Sequence, residues 1–186
     1  MKKVLFIDRD GTMVLETDDF KIDTFEKITF YPEVFQWLGR ISRELDYEFV
    51  LVTNQDGLGT EYFPDEPFFT THKFIMKTFA DEGIPFAAEF IDRHYPTDNS
   101  PERKPGTGML TQYFSPDYDL KNSFVIGDRI TDVMLAKNIG AKAFWLNDGR
   151  NLGGFELTET PATLKKFIAL ETLSWKTIYE YLRALS

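Results

Sequence analysis

Residues Val4-Leu5-Phe6-Ile7-Asp8-Arg9-Asp10-Gly11-Thr12 form a short apolar run that stops abruptly at two carboxylates. Val4 to Ile7 has the length and β-branched character of a strand buried on both faces, as in a parallel sheet. Runs of the same kind recur at Glu48–Thr53, Glu89–Asp92, Ser123–Gly127 and Lys142–Leu146. Between them lie segments of helical pattern. Pro32-Glu33 opens one in the way proline and acid favour at a first turn, with Val34, Leu38, Ile41 and Leu45 on one face. Further helices are predicted over 68–82, closed by Gly83, over 107–114, and over 131–138, closed by Gly140. From 148 to 172 the pattern weakens, and 175–185 reads as a final amphipathic helix. Strands alternating with helices predict βαβ units and a parallel sheet covered on both faces. Ligands of such sheets bind beyond the carboxyl ends of the strands, which puts Asp8, Thr53 and Asp128 at one edge.

Composition narrows the function. The chain of 186 residues suits one α/β domain. A formal charge of -9 opposes non-specific binding to nucleic acid or anionic membrane, both of which need Lys and Arg to displace counterions. A small phosphorylated metabolite remains open as a partner, because a metal and one or two cations reverse the potential within a single pocket. With no cysteine, disulfides, thiolate metal sites and cysteine nucleophiles are excluded. The opening MKKVLFID is neither a signal peptide nor a spanning helix, so the default expectation is a cytoplasmic protein.

Asp8 and Asp10 are spaced two apart, where like charges repel unless a cation intervenes. Taken alone, the stretch also suits a hairpin with an Asp-Gly turn. Three further elements follow in order: Thr53-Asn54 at the end of the second strand, Arg103-Lys104-Pro105 midway, and Gly127-Asp128-Arg129 with Asp132 after the fourth strand.

Together these resemble the four motifs of the haloacid dehalogenase superfamily, over residues 4–146. The resemblance implies a three-layer Rossmann-like parallel sheet of that type, with no large cap domain because no segment between the motifs is long enough for one. It also implies a magnesium-dependent phosphatase. Asp8 is then the nucleophile that becomes an acyl phosphate, and Asp10 the general acid and base. An ordinary aspartate pKa of about 3.9 is too low for that role, so the Asp8 carboxylate is expected to raise it. Thr53 and Asn54 are expected to donate hydrogen bonds to phosphoryl oxygens, and Lys104 to balance their charge. Asp128, Asp8 and the Asp10 backbone carbonyl would form the Mg2+ shell. Asp132 would orient Lys104 or a metal-bound water, or only complement a helix dipole. Arg129 reads equally as a phosphate contact or a surface salt bridge.

Two stretches, Phe6–Thr12 and Thr53-Asn-Gln-Asp-Gly-Leu-Gly-Thr60, resemble the histidinol-phosphate phosphatase domain of bifunctional histidine-biosynthesis enzymes, as does Glu171-Thr-Leu-Ser-Trp175. That implies a phosphatase domain over 1–170 and a C-terminal helix over 171–186. The chain would then be part of a protein fused to a dehydratase domain, or a monofunctional relative. Heptose bisphosphate phosphatases, polynucleotide 3'-phosphatases and a non-catalytic binding module are the alternatives. The family's zinc loop, Cys-x-His-x5-Cys-x-Cys before Arg-Lys-Pro, falls on Asp92, His94, Ser100 and Glu102. With the cysteine ligands missing, no structural zinc is expected, and His94 is a loop residue or a substrate contact. A substrate bearing an ammonium and an imidazole calls for carboxylates. Glu16, Asp18, Asp19 and Asp56 lie near the motifs; residues 16–19 equally suit an acidic solvated loop, so Asp56 is the favoured one, with Arg103 a further substrate contact.

Overall fold

The computed structural model describes residues 1–150 and 152–186. Six strands, β1 (Val4–Ile7), β2 (Glu48–Asn54), β3 (Ala88–Asp92), β4 (Phe124–Gly127), β5 (Lys142–Trp145) and β6 (Ile168–Glu171), form one sheet in the order β3-β2-β1-β4-β5-β6. Every pairing is parallel. The helices are α1 (Val34–Glu44), α2 (Asp65–Asp81), α3 (Ile130–Ile139), α4 (Pro161–Lys165) and α5 (Trp175–Ala184).

Alternation along the strands builds the three layers. Leu5, Ile7, Phe49, Leu51, Phe124, Ile126 and Phe144 point to one face, where they meet Val34, Leu38 and Ile41 of α1, Ile75 and Phe79 of α2, and Trp175, Ile178 and Leu182 of α5. Val4, Phe6, Val50, Val52, Val125 and Ala143 point to the other and meet Val133, Met134 and Leu135 of α3, with Leu110, Tyr113 and Leu164. Each fully buried Leu or Ile side chain in these layers contributes about 1.5–3 kcal/mol relative to its exposed state.

Three expectations are corrected. Helix α2 begins at Asp65 rather than 68, since Pro67 falls in a first turn whose N–H groups have no intrahelical partner in any case. The segment Gly108–Phe114 is a 3-10 helix. The backbone turns tightly just before it: a Cβ at Gly106 would lie 2.3 Å from the Pro101 carbonyl oxygen. Strand β6 was not expected; it is a short, half-buried edge strand within the weakly patterned region. An expected division at residue 170 falls inside β6, and α5 beyond it packs on α1 and supplies Trp175 to the core.

The sheet runs outward from β1 to β2 and β3 on one side and from β4 to β5 and β6 on the other. The switch point between β1 and β4 is where open α/β sheets bind ligands. Ile7 pairs with Ile126, and the Asp8 N–H donates to the Ile126 carbonyl at 2.9 Å, so Asp8 and Asp128 emerge side by side. Among the described residues, no inserted domain covers these strand ends, and no helix is long and apolar enough to cross a membrane.

Candidate active site

Asp8, Thr53, Lys104, Asp128 and Asp132 converge at the carboxyl edge of β1, β2 and β4, all of them buried. The Lys104 ammonium lies 2.8 Å from Oδ1 of Asp8 and 2.8 Å from Oδ1 of Asp132. The other oxygen of Asp132 accepts from the backbone N–H of Arg129 at 3.1 Å, capping α3. Asp132 therefore combines two roles that the sequence left as alternatives, orienting the lysine and capping the helix. Glycine is required at two points of close approach: a Cβ at Gly11 would lie 2.2 Å from Oδ2 of Asp128, and one at Gly127 would lie 2.1 Å from Oδ2 of Asp132. Two tryptophans tie the flanking loops down. Trp145 Nε1 donates to the Asp128 carbonyl at 3.0 Å, and Trp175 Nε1 to the Thr12 carbonyl at 3.1 Å.

Asp128 carries the clearest sign of a cation. Both its carboxylate oxygens are buried and have no hydrogen-bond partner among the described residues. Burial first, then the charges of Asp8 and Asp132, push its carboxyl well above the usual range. Asp8 is raised too, by burial, against the pull of Lys104. Ligand oxygens of Asp8, Asp128 and Asp132 lie within 4.8 Å of one another. An all-oxygen set with unneutralised charge fits a hard divalent cation. Both Asp132 oxygens and Oδ1 of Asp8 already accept hydrogen bonds, which leaves the two Asp128 oxygens and Oδ2 of Asp8 to face a cation.

Asp10 departs from expectation. Arg9, fully buried, grips both of its oxygens, Nε to Oδ1 at 2.7 Å and Nη2 to Oδ2 at 2.9 Å. Gln55 Nε2 adds a third bond to Oδ2 at 2.9 Å. Burial raises the Asp10 carboxyl, but the Arg9 charge and these hydrogen bonds outweigh it and leave it below its ordinary value. The expected rise driven by Asp8 is therefore overturned, since a bidentate guanidinium is nearer and stronger.

Asn54 is also reassigned. Its amide nitrogen donates to the Lys104 carbonyl at 3.0 Å, and its amide oxygen accepts from the Lys104 N–H at 3.0 Å. That side chain holds the lysine backbone instead of awaiting a phosphoryl oxygen. Thr53 Oγ1 accepts from Gln55 at 3.0 Å and lines the pocket. Arg103 and Asp56, both expected to touch substrate, pair with each other, and Arg103 also pairs with Glu156 at 3.2 Å. They form one wall of the pocket.

Over this floor opens a cavity of about 330 Å³ whose rim includes Phe20, Tyr62, Tyr95 and Phe155. Glu16 lines it and is not a solvated loop residue: its side chain is 1% exposed, with Oε2 accepting from Arg129 at 2.7 Å. Its second oxygen, Oε1, is buried and has no hydrogen-bond partner among the described residues. Burial, then Asp10, push its carboxyl up to about 7 against the pull of Arg129. Arg129 is thus a partly buried ion-pair partner facing the pocket. In the loop before Arg103, ligand atoms of Asp92, His94 and Glu102 lie within 4.8 Å of one another. There Asp92 accepts from His94 N–H at 3.1 Å and pairs with its ring at 2.6 Å. His94 is not among the pocket-lining residues. Arg9, Gln55, Glu16 and Glu156 were not assigned by sequence reasoning as site residues; Arg9 and Gln55 adjoin motif residues, and Glu16 lies near them, which does not give side-chain direction, while Glu156 lies in the weakly patterned segment after 148.

A carboxylate-lysine-carboxylate cluster at the switch point of this sheet marks a class of site, and part of the chain is similar to the haloacid dehalogenase-like hydrolases. A HAD-hydrolase-like family model matches residues 102–166. More particularly, the chain is 54% identical over 185 residues to the histidine biosynthesis bifunctional protein HisB of Bacteroides fragilis, covering 98% of this chain and 48% of that protein. The HisB of Spirosoma linguale is 49% identical over 187 residues, covering 98% of this chain and 49% of that protein. The chain thus spans about half the length of the curated relatives it matches. A D,D-heptose 1,7-bisphosphate phosphatase structure from B. bronchiseptica, complexed with magnesium and phosphate, shares the fold at a TM-score of 0.80, with 23% identity over 99% of each chain.

Proposed function

We propose that this chain hydrolyses L-histidinol phosphate to L-histidinol and phosphate, as the phosphatase part of a bifunctional histidine-biosynthesis protein that also carries a dehydratase domain. The observation that carries the chemistry is the buried Asp8 carboxylate, 2.8 Å from the Lys104 ammonium at the floor of an open pocket. The likeness to the HisB proteins supports the pathway.

Asp8 attacks phosphorus in line, and the bond from phosphorus to the ester oxygen breaks. The phosphoryl dianion beside Asp10 offsets the Arg9 charge that holds its carboxyl low, so Asp10 takes up a proton and gives it to that oxygen, releasing the alcohol and leaving an acyl phosphate on Asp8. Water then attacks the phosphorus and loses a proton to Asp10, and the bond to Asp8 breaks to free phosphate. Lys104 balances the charge shared between Asp8 and the phosphoryl oxygens, and the Thr53 hydroxyl faces the same oxygens. Asp8, Asp128 and the Asp10 carbonyl would hold Mg2+, which neutralises phosphoryl charge when bound. The carboxylate of Glu16, with its free Oε1, accepts the substrate ammonium, and the aromatic rim formed by Phe20, Tyr62, Tyr95 and Phe155 receives the imidazole.

Phosphate release from histidinol phosphate, a heptose bisphosphate and a 3'-phosphorylated oligonucleotide, each with magnesium or EDTA, tests this reading. The expected result is magnesium-dependent preference for histidinol phosphate. Preference for another ester would refute the substrate and keep the class.

A further inference from the structure

Behind Asp10 lies a line of polar groups that the mechanism above does not use, Arg9 and His72 buried and Glu89 at the surface. Arg9 is enclosed on every side: its guanidinium carbon sits 4.6 Å from the Phe68 ring centroid, and its Nη1 lies 3.4 Å from Nδ1 of His72. His72 is itself buried on α2, its ring stacked on Phe68 at 5.4 Å and 8°. On its far side, Nε2 is 2.8 Å from Oε2 of Glu89 on β3. Arginine can only donate, so Nδ1 of His72 is an acceptor and the ring carries its proton on Nε2, where the Glu89 carboxylate receives it. One tautomer satisfies both neighbours.

We propose that His72 is a positioning residue for the acid-base step, fixing Arg9 so that Arg9 fixes the carboxyl of Asp10, with Glu89 setting the histidine tautomer. The inference rests on reading Asp10 as the acid and base of a phosphatase. An arginine held only by Asp10 would move with that side chain. Anchored at Nη1 by His72 and on its face by Phe68, it stays in place, and its two bonds to Asp10 fix that carboxyl in one orientation.

The leaving group supplies a readout that a general structural defect would not move. Departure of an alkoxide from histidinol phosphate needs a proton from Asp10, whereas 4-nitrophenolate leaves without one. The ratio kcat/KM reports the steps up to phosphoryl transfer, before Asp10 acts as a base. In His72→Leu the value for histidinol phosphate is expected to fall about tenfold or more, part of the ~10²–10⁴ available to acid-base catalysis, with a change below about twofold for 4-nitrophenyl phosphate. His72→Asn places an amide oxygen near the position of Nδ1 and is expected to restore most of the loss. Equal losses on both esters in a folded His72→Leu protein, or no loss on either, would overturn the proposal. Should His72→Leu fail to fold, Glu89→Ala is read instead, at a position whose side chain is 41% exposed. A selective loss of about two- to threefold on the alkyl ester supports the proposal there, and no selectivity overturns it. Wild-type protein that turned over neither ester would refute the phosphatase reading itself, and this inference with it.

Discussion

Asn54 closes two hydrogen bonds, each 3.0 Å, on the backbone of Lys104, one given and one received. The end of β2 thereby sets where the lysine of a distant loop enters the site. Asn54→Asp keeps the acceptor and turns the donor into a second acceptor facing the Lys104 carbonyl. The expected outcome is a fall in kcat of about tenfold with KM within about threefold, since misplacement of a charged group is felt mainly in the transition state. A rise in KM with kcat unchanged would return Asn54 to substrate binding.

Among the described residues, Lys104 is the one cation that pairs with Asp8, and it joins Asp8 to Asp132. Lys104→Met keeps the chain length and leaves two buried carboxylates without their partner. Unfolding in denaturant without metal is expected to show a loss of about 3 kcal/mol, and phosphate release a fall of at least about 10²-fold. Unchanged stability would mean that the carboxylates are neutral in the metal-free protein.

Asp128 has the opposite relation to stability. Its oxygens are buried without partners, so Asp128→Asn is expected to stabilise the metal-free protein by about 1 kcal/mol while abolishing activity. Magnesium at about a hundred times its Kd should stabilise the wild type by about 2.7 kcal/mol and the variant by much less. Equal magnesium shifts in Tm for both proteins would place the ion elsewhere.

Glu16 links pH to stability and to binding. Its carboxyl titrates near 7 when folded, against 4.5 for the ordinary group. Between those values the folded chain holds a proton that the unfolded chain has released. Its stabilising contribution is therefore full below about 4.5 and lost as pH rises through about 7. Melting of Glu16→Gln at pH 5 and pH 8 should show the variant gaining on wild type at the higher pH. At pH 8 the KM for histidinol phosphate should rise about tenfold, with little change for an ester lacking the amine. No pH-dependent difference between the two proteins would contradict the buried, proton-holding Glu16.

Much of this was legible from the chain. The strands β1 to β5 announce themselves as apolar runs, and because a parallel sheet puts every carboxyl end at one edge, Asp8, Thr53 and Asp128 could be placed together before any side chain was positioned. Strand β6 was hidden because an edge strand of three half-buried residues and an exposed Glu171 needs no continuous apolar run. The larger misses concern direction. Arg9 sits between two acids in sequence, and only the fold turns it inward onto Asp10, reversing the expected shift of that carboxyl. Glu16 read as one of several loop acids, yet only its side chain is closed over by Arg129 within the pocket. Arg103 and Asp56 were each assigned to substrate, and their mutual pairing depends on a meeting across 47 residues that no local pattern encodes.

The central claim is that Asp8 carries the phosphoryl group, and the most direct measurement is rapid acid quench of a single turnover of histidinol phosphate, followed by borohydride reduction and peptide mass mapping. The account requires reductive labelling at Asp8, formed and lost at rates consistent with kcat, and none in Asp8→Asn. Turnover with no labelled aspartate at any time, or labelling at another residue, would contradict it.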